Sequence, residues 1–312
     1  MRMEGVADIA LTRYGGFHAR LTQVTLDHLR LFTVKENLPR IACFSVPKGD
    51  ALIALSLGGG PAPIWGGVTA QPDNLITLGP GARAHMRTDG PSHWAAIWFP
   101  INDFARYSHA LMGKVPTLPG IVCCWQPAAN TGRSLRHILT DVMRAAQTRP
   151  DALTVAEAAH GLDQQLIHLL IEGLSGRPLD GNIPMRRRRH ELMDQFEELL
   201  TSGLSGEADI AEIGGMLGVS DRFLRRCCEQ QFGMSPLSYL RLRRLQLVHC
   251  ILQSACPETL SVSQAARRHG FRHLGRFAAA YRDLFGEQPS ATLRQGPGRA
   301  MPELALRAKP AN

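Results

Sequence analysis

A chain of 312 residues, 44% of them apolar, carries enough hydrophobic side chains for two cores of ordinary domain size. No run approaches the roughly 18 uncharged apolar residues of a membrane span, and Met1 to Leu11 holds Arg2, Glu4 and Asp8 where a signal peptide would have its apolar core, so a cytoplasmic protein with no membrane partner is expected. The net charge of +8 points to a polyanionic partner, and the excess is concentrated: between Ser220 and Gln295 twelve arginines stand against five acids, with no lysine.

Residues 1–20 show no sustained period and are expected to be a mobile N-terminus. From about 24 to 126 the chain breaks into short apolar runs, at 41–46, 51–57, 74–78, 95–99 and 121–125, separated by Gly- and Pro-rich turns such as Gly58-Gly-Gly-Pro61 and Gly79-Pro-Gly81. This pattern predicts antiparallel strands in a sandwich or small barrel, with one helix near Ile101 to Met112. Helical spacing then takes over. Leu135, Ile138, Leu139, Val142 and Met143 form one apolar stripe, and Val155, Ala158, Ala159, Leu162, Leu166, Leu169 and Leu170 form a second. The two helices would cover the β domain or pair with a second chain, with Leu162, Leu166, Leu169 and Leu170 as candidate contacts of a homodimer.

Turn formers over 176–184 read as part of a linker. The run Arg186-Arg-Arg-Arg189 is either a solvated helix start or a set of phosphate contacts. Leu192, Met193, Phe196, Leu199 and Leu200 follow as an amphipathic helix.

Two copies of one device come next. The first runs from Asp209 through Gly218, turns at Val219-Ser220, and resumes helical spacing at Phe223, Leu224, Cys227 and Cys228, with Ser220 placed as an N-cap. The second runs from Leu260 through Gly270, turns at Phe271, and continues at Leu274, Phe277, Tyr281 and Leu284. Between them Ser235-Pro236 opens a long helical pattern that stops before Pro257. At 1.5 Å per residue, about 20 residues give about 30 Å, close to the roughly 34 Å of one DNA turn, so helices at its two ends could enter successive major grooves. Residues 296–312 read as a flexible tail.

The residues 270–294, with Phe271, Arg276, Phe277, Tyr281, Phe285, Gly286 and Pro289, strongly resemble the signature of the AraC/XylS family of bacterial transcription regulators, the XylS-like branch most of all. Leu217-Gly-Val-Ser220, Leu224, Phe232-Gly-Met-Ser-Pro236, Tyr239 and Arg243 of the first copy stand at the same family's spacing, and the resemblance covers about 105 residues, 190 to 295. It implies an α+β chain of two domains. A cupin-like β sandwich or barrel with a helical pair would sense an effector and dimerise over 21–175; a linker over 176–189 would lead to an all-α domain with two helix-turn-helix motifs over 190–295. It also implies promoter DNA, RNA polymerase and a small-molecule effector as partners, and an activator. Two departures from the family pattern stand out: Gly214 replaces a packed Ala, at a cost of about 1 kcal/mol inside a helix, and Ala279 replaces a polar or basic residue.

The 3.6-residue period turns Arg222, Arg225 and Arg226 outward on the first recognition helix, and Arg272, His273 and Arg276 are their counterparts in the second copy. Arginine donates two bonds to guanine O6 and N7, whereas phosphate contacts position without specifying, the role expected of Arg243 and Arg244. In the first half, Arg40, Phe44, Trp65, Arg83, His85, Trp94 and Trp98 are candidate effector contacts, suited to an aromatic or carboxylate-bearing ligand.

Other chemistries find little support. Seven cysteines, an odd number, include the adjacent pairs Cys123-Cys124 and Cys227-Cys228 but no CxxC, so buried, reduced thiols are expected rather than disulfides or zinc. His85 and His93 lack the closely spaced histidines of a cupin metal site. No nucleophile elbow, phosphate loop or paired catalytic carboxylate is present, so no enzyme activity, cofactor or metal is expected. Alternatives to effector sensing are control by a partner protein and, remotely, a cupin-type enzyme.

Overall fold

The computed structural model describes residues 6–153, 155–176, 178–179, 183–201 and 210–295. The expected tail 296–312, the start of the first copy at Asp209 and part of the expected linker lie outside them. The first half carries β1 (Val6–Leu11), β2 (Ala19–Thr25), β3 (Arg30–Glu36), β4 (Arg40–Ser45), β5 (Asp50–Ser56), β6 (Ile64–Trp65), β7 (Val68–Thr69), β8 (Leu75–Leu78), β9 (Arg83–Thr88), β10 (Ser92–Pro100) and β11 (Val122–Trp125). They form two antiparallel sheets, one ordered β1-β4-β9-β6-β7 and the other β11-β8-β5-β10-β3-β2.

Strands β5, β8, β10 and β11 of the six-stranded sheet are buried on both faces, which is why they read as largely apolar runs. In β10, Trp94, Ala96 and Trp98 face the other sheet, while Ala95, Ile97 and Phe99 face α1 (Ile101–Met112), α2 (Ala129–Thr148) and α3 (Ala156–Gly173). Leu166 and Leu170 of α3 are fully buried in that layer, and Leu162 and Leu169 pack against it. Leu166 and Leu170 are thus spent covering the chain's own sheet rather than facing a partner, while Leu162 and Leu169 remain half-exposed at its edge. Asp163, also fully buried, takes part by accepting from the His28 ring Nδ1 at 2.8 Å.

Two further expectations change. Residues 1–20 contain β1, which pairs with β4, so residues 6–11 are an edge strand rather than a mobile terminus. In the expected linker, Leu179 N donates to Cys124 O at 2.8 Å and Pro178 bridges Trp125, so this stretch runs along β11.

The second half is helical among its described residues: α4 (Ile183–Thr201), α5 (Ile210–Met216), α6 (Asp221–Phe232), α7 (Pro236–Ser254), α8 (Val262–Arg268), α9 (Leu274–Phe285) and α10 (Pro289–Gln295). Two cores support it. Leu192, Phe196, Ile213, Leu224, Cys228 and Tyr239 build the first around α4 to α7, and Val248, Leu252, Ala266, Phe277 and Tyr281 build the second around α7 to α10. The first also takes in Ala10 of β1 and Ile41 of β4, so these helices close the outer face of the five-stranded sheet.

Candidate nucleic-acid interface and its seam with the sandwich

The helix α6 starts where Ser220 accepts a hydrogen bond from Phe223 N at 3.4 Å, and it ends at Gly233, whose φ of 70° is the left-handed cap that glycine adopts without strain. Leu224, Cys227 and Cys228 are buried beneath it, and Arg222, Arg225 and Arg226 are exposed. Gly214 on α5 has a local reason: a Cβ there would stand 2.9 Å from Val219 O, so the missing side chain lets α5 close tightly on the turn before α6.

The second copy repeats the plan with a different N-terminus. Ser261 and Gln264 cap α8 reciprocally, Ser261 N donating to Gln264 Oε1 at 2.9 Å and Gln264 N to Ser261 Oγ at 3.2 Å. Arg241 and Arg244 of α7 share an open cleft of about 410 Å³ with Arg272, His273 and Arg276 at the start of α9. Burial lowers the pKa of Arg244, and burial together with the Arg244 and Arg268 charges lowers that of the adjacent His269. Four guanidinium groups on one concave surface suit a polyphosphate backbone. Arg243 turns elsewhere, its Nε 3.9 Å from Glu197 Oε2, so it does not join Arg244 in the cleft.

Period-two alternation in β9 sorts the first-half candidates. Ala84 and Met86 face the sandwich interior, while Arg83, His85 and Arg87 lie at alternate positions toward the helices. His85 Nδ1 lies 2.9 Å from Gln231 Nε2 of α6, and its Nε2 lies 3.3 Å from Glu197 Oε1 of α4. The ring also meets Phe232 edge-on at 5.0 Å. The Tyr239 hydroxyl of α7 donates to the same Glu197 oxygen. Burial opposes the Glu197 charge, but His85, Arg243 and Tyr239 outweigh it and hold the carboxyl below its ordinary pKa. Burial, then Glu197, pushes the Tyr239 phenol well up. One carboxylate thus joins β9, α4 and α7, with α6 attached through the histidine. Beside it, Arg83 Nε donates to Cys43 Sγ at 3.2 Å, and Arg87 Nη1 donates to Glu229 O at 3.4 Å near the end of α6.

The aromatic candidates are packed otherwise. Phe44 lies 4.8 Å from Trp65 and 5.8 Å from Trp94 between rings, all within the inter-sheet core. Arg40 Nε donates to Glu36 Oε2 at 2.6 Å and its guanidinium lies 5.9 Å from the Trp94 ring, while Trp98 Nε1 donates to Asp50 Oδ2 at 2.7 Å. The seven candidates therefore divide into core (Phe44, Trp65, Trp94 and Trp98), a buried ion pair (Arg40) and the seam (Arg83 and His85). Sequence reasoning missed Glu197, Gln231 and Tyr239 at this seam; the polar interruptions at 197 and 231, within otherwise apolar helical stripes, were the available signal.

Five cysteines are buried, and Cys250 and Cys256 are exposed, against the expectation that all would be buried. Burial raises the pKa of Cys43, Cys123, Cys124, Cys227 and Cys228, which makes them poor nucleophiles. Among the described residues no helix is long and apolar enough to cross a membrane, and no three His, Cys, Asp or Glu side chains are grouped to hold a metal ion.

A family profile described as a helix-turn-helix domain matches residues 213–295. The chain is 41% identical over 106 residues to a XylDLEGF operon transcriptional activator of Pseudomonas putida, covering 34% of this chain and 32% of that protein. It is 37% identical over 90 residues to a probable thc operon regulatory protein of Rhodococcus erythropolis, covering 29% of this chain and 27% of that one. The matched stretch thus spans about a third of the length of these relatives. A solved structure of a probable AraC family transcriptional regulator from Rhodopseudomonas palustris CGA009 is 34% identical, covering 34% of this chain and 96% of that one, at a TM-score of 0.31. These relatives are transcription regulators rather than enzymes, and over the matched stretch, residues 213–295, the chain carries the helix-turn-helix domain of an AraC/XylS-type regulator.

Proposed function

We propose that the chain activates transcription by binding promoter DNA through two helix-turn-helix motifs, α5–α6 and α8–α9, under the control of a small effector sensed in the first half. The observation that carries this reading is the pairing of two similarly built helix pairs at the two ends of α7, each offering arginines to solvent. The 19 residues of α7 span about 28 Å, a length that suits two successive major grooves on one face of the duplex. Arg222, Arg225 and Arg226 would reach base edges; Arg241, Arg244, Arg272, His273 and Arg276 would grip the backbone and the second groove. The first half acts as a cupin-like sensor, with RNA polymerase and a second copy of the chain as protein partners. The effector must bind two arrangements of the halves unequally to have any effect.

Gel-shift titration at fixed salt tests the DNA reading. Arg225→Ala should weaken specific promoter binding by about 1 to 3 kcal/mol while changing non-specific binding far less. Equal losses on both would remove Arg225 from base reading.

A further inference from the structure

Four arginines, Arg186 to Arg189, stand in the first two turns of α4, just inside the positive end of the helix dipole and with no acidic residue in the first turn to offset them. Their mutual repulsion adds to that cost, so helix stability does not account for the run. The structure divides it in two. Arg186 Nη1 donates to Val122 O at 3.1 Å and Arg189 Nη1 to Gln230 Oε1 at 3.2 Å, so this half-buried pair ties α4 to β11 and to α6. Arg187 and Arg188 are exposed, and among the described residues neither forms an ion pair.

The direction in which the exposed pair points follows from the neighbours of the run. Arg188 lies over the Phe223 ring at 5.9 Å. Gln230 stands near the end of α6 and Phe223 in its first turn, so the step from Arg189 to Arg188 runs along α6 toward its N-terminal end. That is the end by which a recognition helix meets base edges in the major groove. Phe223 is half-buried on the flank of α6, between the exposed Arg226 and the buried Cys227. A helix with its side chains is about 10 to 12 Å across and the major groove about 12 Å wide, so the phosphates bordering the groove run close along both flanks of the helix. Over 186–191 and 221–230 seven arginines face three acids, Glu191, Asp221 and Glu229, which leaves this flank strongly positive.

We propose that Arg187 and Arg188 grip the DNA phosphates that border the groove entered by α6, so that the first helix-turn-helix holds the duplex through α4 as well as through its own two helices. The grip rests on the promoter-binding reading. It positions without specifying, because a phosphate carries no base identity. It also gives the first motif a counterpart to the arginine-lined cleft at the start of α9.

The test is fluorescence anisotropy of the full chain on two short labelled duplexes, one recovered by selection from a randomised pool and one of scrambled sequence, over a series of sodium chloride concentrations. Each phosphate contact adds about 0.9 to the slope of log K against log salt on B-form DNA, so the double variant Arg187→Gln/Arg188→Gln should lower the slope by about 1.8 on both duplexes. The order of preferred bases should not change. Arg133→Gln removes an exposed charge from α2 and should keep the parent's slope. Arg188→Lys keeps the charge but gives up the flat contact with Phe223; it should keep most of the slope, and a loss there would mark Arg188 as packing for α6. An unchanged slope in the double variant, or a loss confined to the selected duplex, would overturn the grip. Circular dichroism checks folding; if the double variant unfolds, Arg187→Gln alone should lower the slope by about 0.9, and no drop counts against the proposal. A parent chain that binds neither duplex would defeat the promoter-binding reading and the grip together, whereas a parent that binds both, with variants of unchanged slope, defeats the grip alone.

Discussion

Glu197 concentrates more of the seam than any other side chain, accepting from Tyr239 and pairing with His85 and, at longer range, Arg243. Hydrogen bonds to a buried charge contribute about 1.5 to 3 kcal/mol each, so Glu197→Gln should lower the free energy of unfolding by about 2 kcal/mol or more in urea titration; an unchanged midpoint would mean that the seam bears no load. Its folded pKa lies below the ordinary 4.5. The stabilisation is therefore fully present above that value and is lost as pH falls through the lower folded one, so wild type and Glu197→Gln should converge in stability at acid pH. Individual residues also mark the limit of sequence reading. Gly214 looks like a helix defect in the sequence, yet the space its Cβ would need is taken by Val219 O. Strand tryptophans have the same composition whether they line a pocket or fill a core, and only the ring contacts of Trp65 and Trp94 decide for the core.

At the scale of elements, α6 depends on its C-terminal end as much as on its cap at Ser220. A Cβ on Gly233 would lie 1.9 Å from Arg87 Nη1 in addition to straining the left-handed backbone. Gly233→Ala should cost about 1 kcal/mol or more in thermal unfolding from the backbone alone, and displacing Arg87 should free the end of α6 from β9. A variant as stable as the parent would show that this junction is loose. Helices α6 and α7 were legible in the sequence because helical spacing, a Ser cap and a Gly or Pro stop agree there, whereas α1 starts after Pro100 without a side-chain cap and ends at Gly113. Strands β2, β3 and β9 were not. In β9 the outward residues Arg83, His85 and Arg87 face protein rather than water, so a sequence that reads as a polar loop is a strand covered by helices. The arginine run on α4 was legible as basic, but which two of its four members turn inward depends on helix phase against a surface that the sequence does not reveal.

For the whole molecule, folding lowers the pKa of four histidines in both halves: His93, His190, His249 and His269, chiefly through burial. Each is kept neutral in the folded chain and protonates more readily when unfolded. Stability should therefore hold above the ordinary histidine value of about 6.5 and fall as pH drops below it. Thermal unfolding between pH 8 and 5 should show a declining midpoint, and a flat profile would contradict this. His249→Gln should reduce the slope, since His249 lies 2.6 Å from the Tyr281 hydroxyl in the core of the second copy. The larger asymmetry is between the two helix pairs. The first presents three outward arginines on a helix tied to the sandwich through His85 and Gln231, whereas the second offers Gly275 and Ala279 around Arg276 and sits beside the arginine-lined cleft. The first should therefore carry base discrimination and the coupling to the sandwich, and the second the grip on the backbone. Selection of bound sequences from a randomised duplex, using the full chain, tests this most directly. Stronger base preference in the half-site under α6 than in the one under α9 is the predicted result; equal preference, or the reverse order, would contradict it.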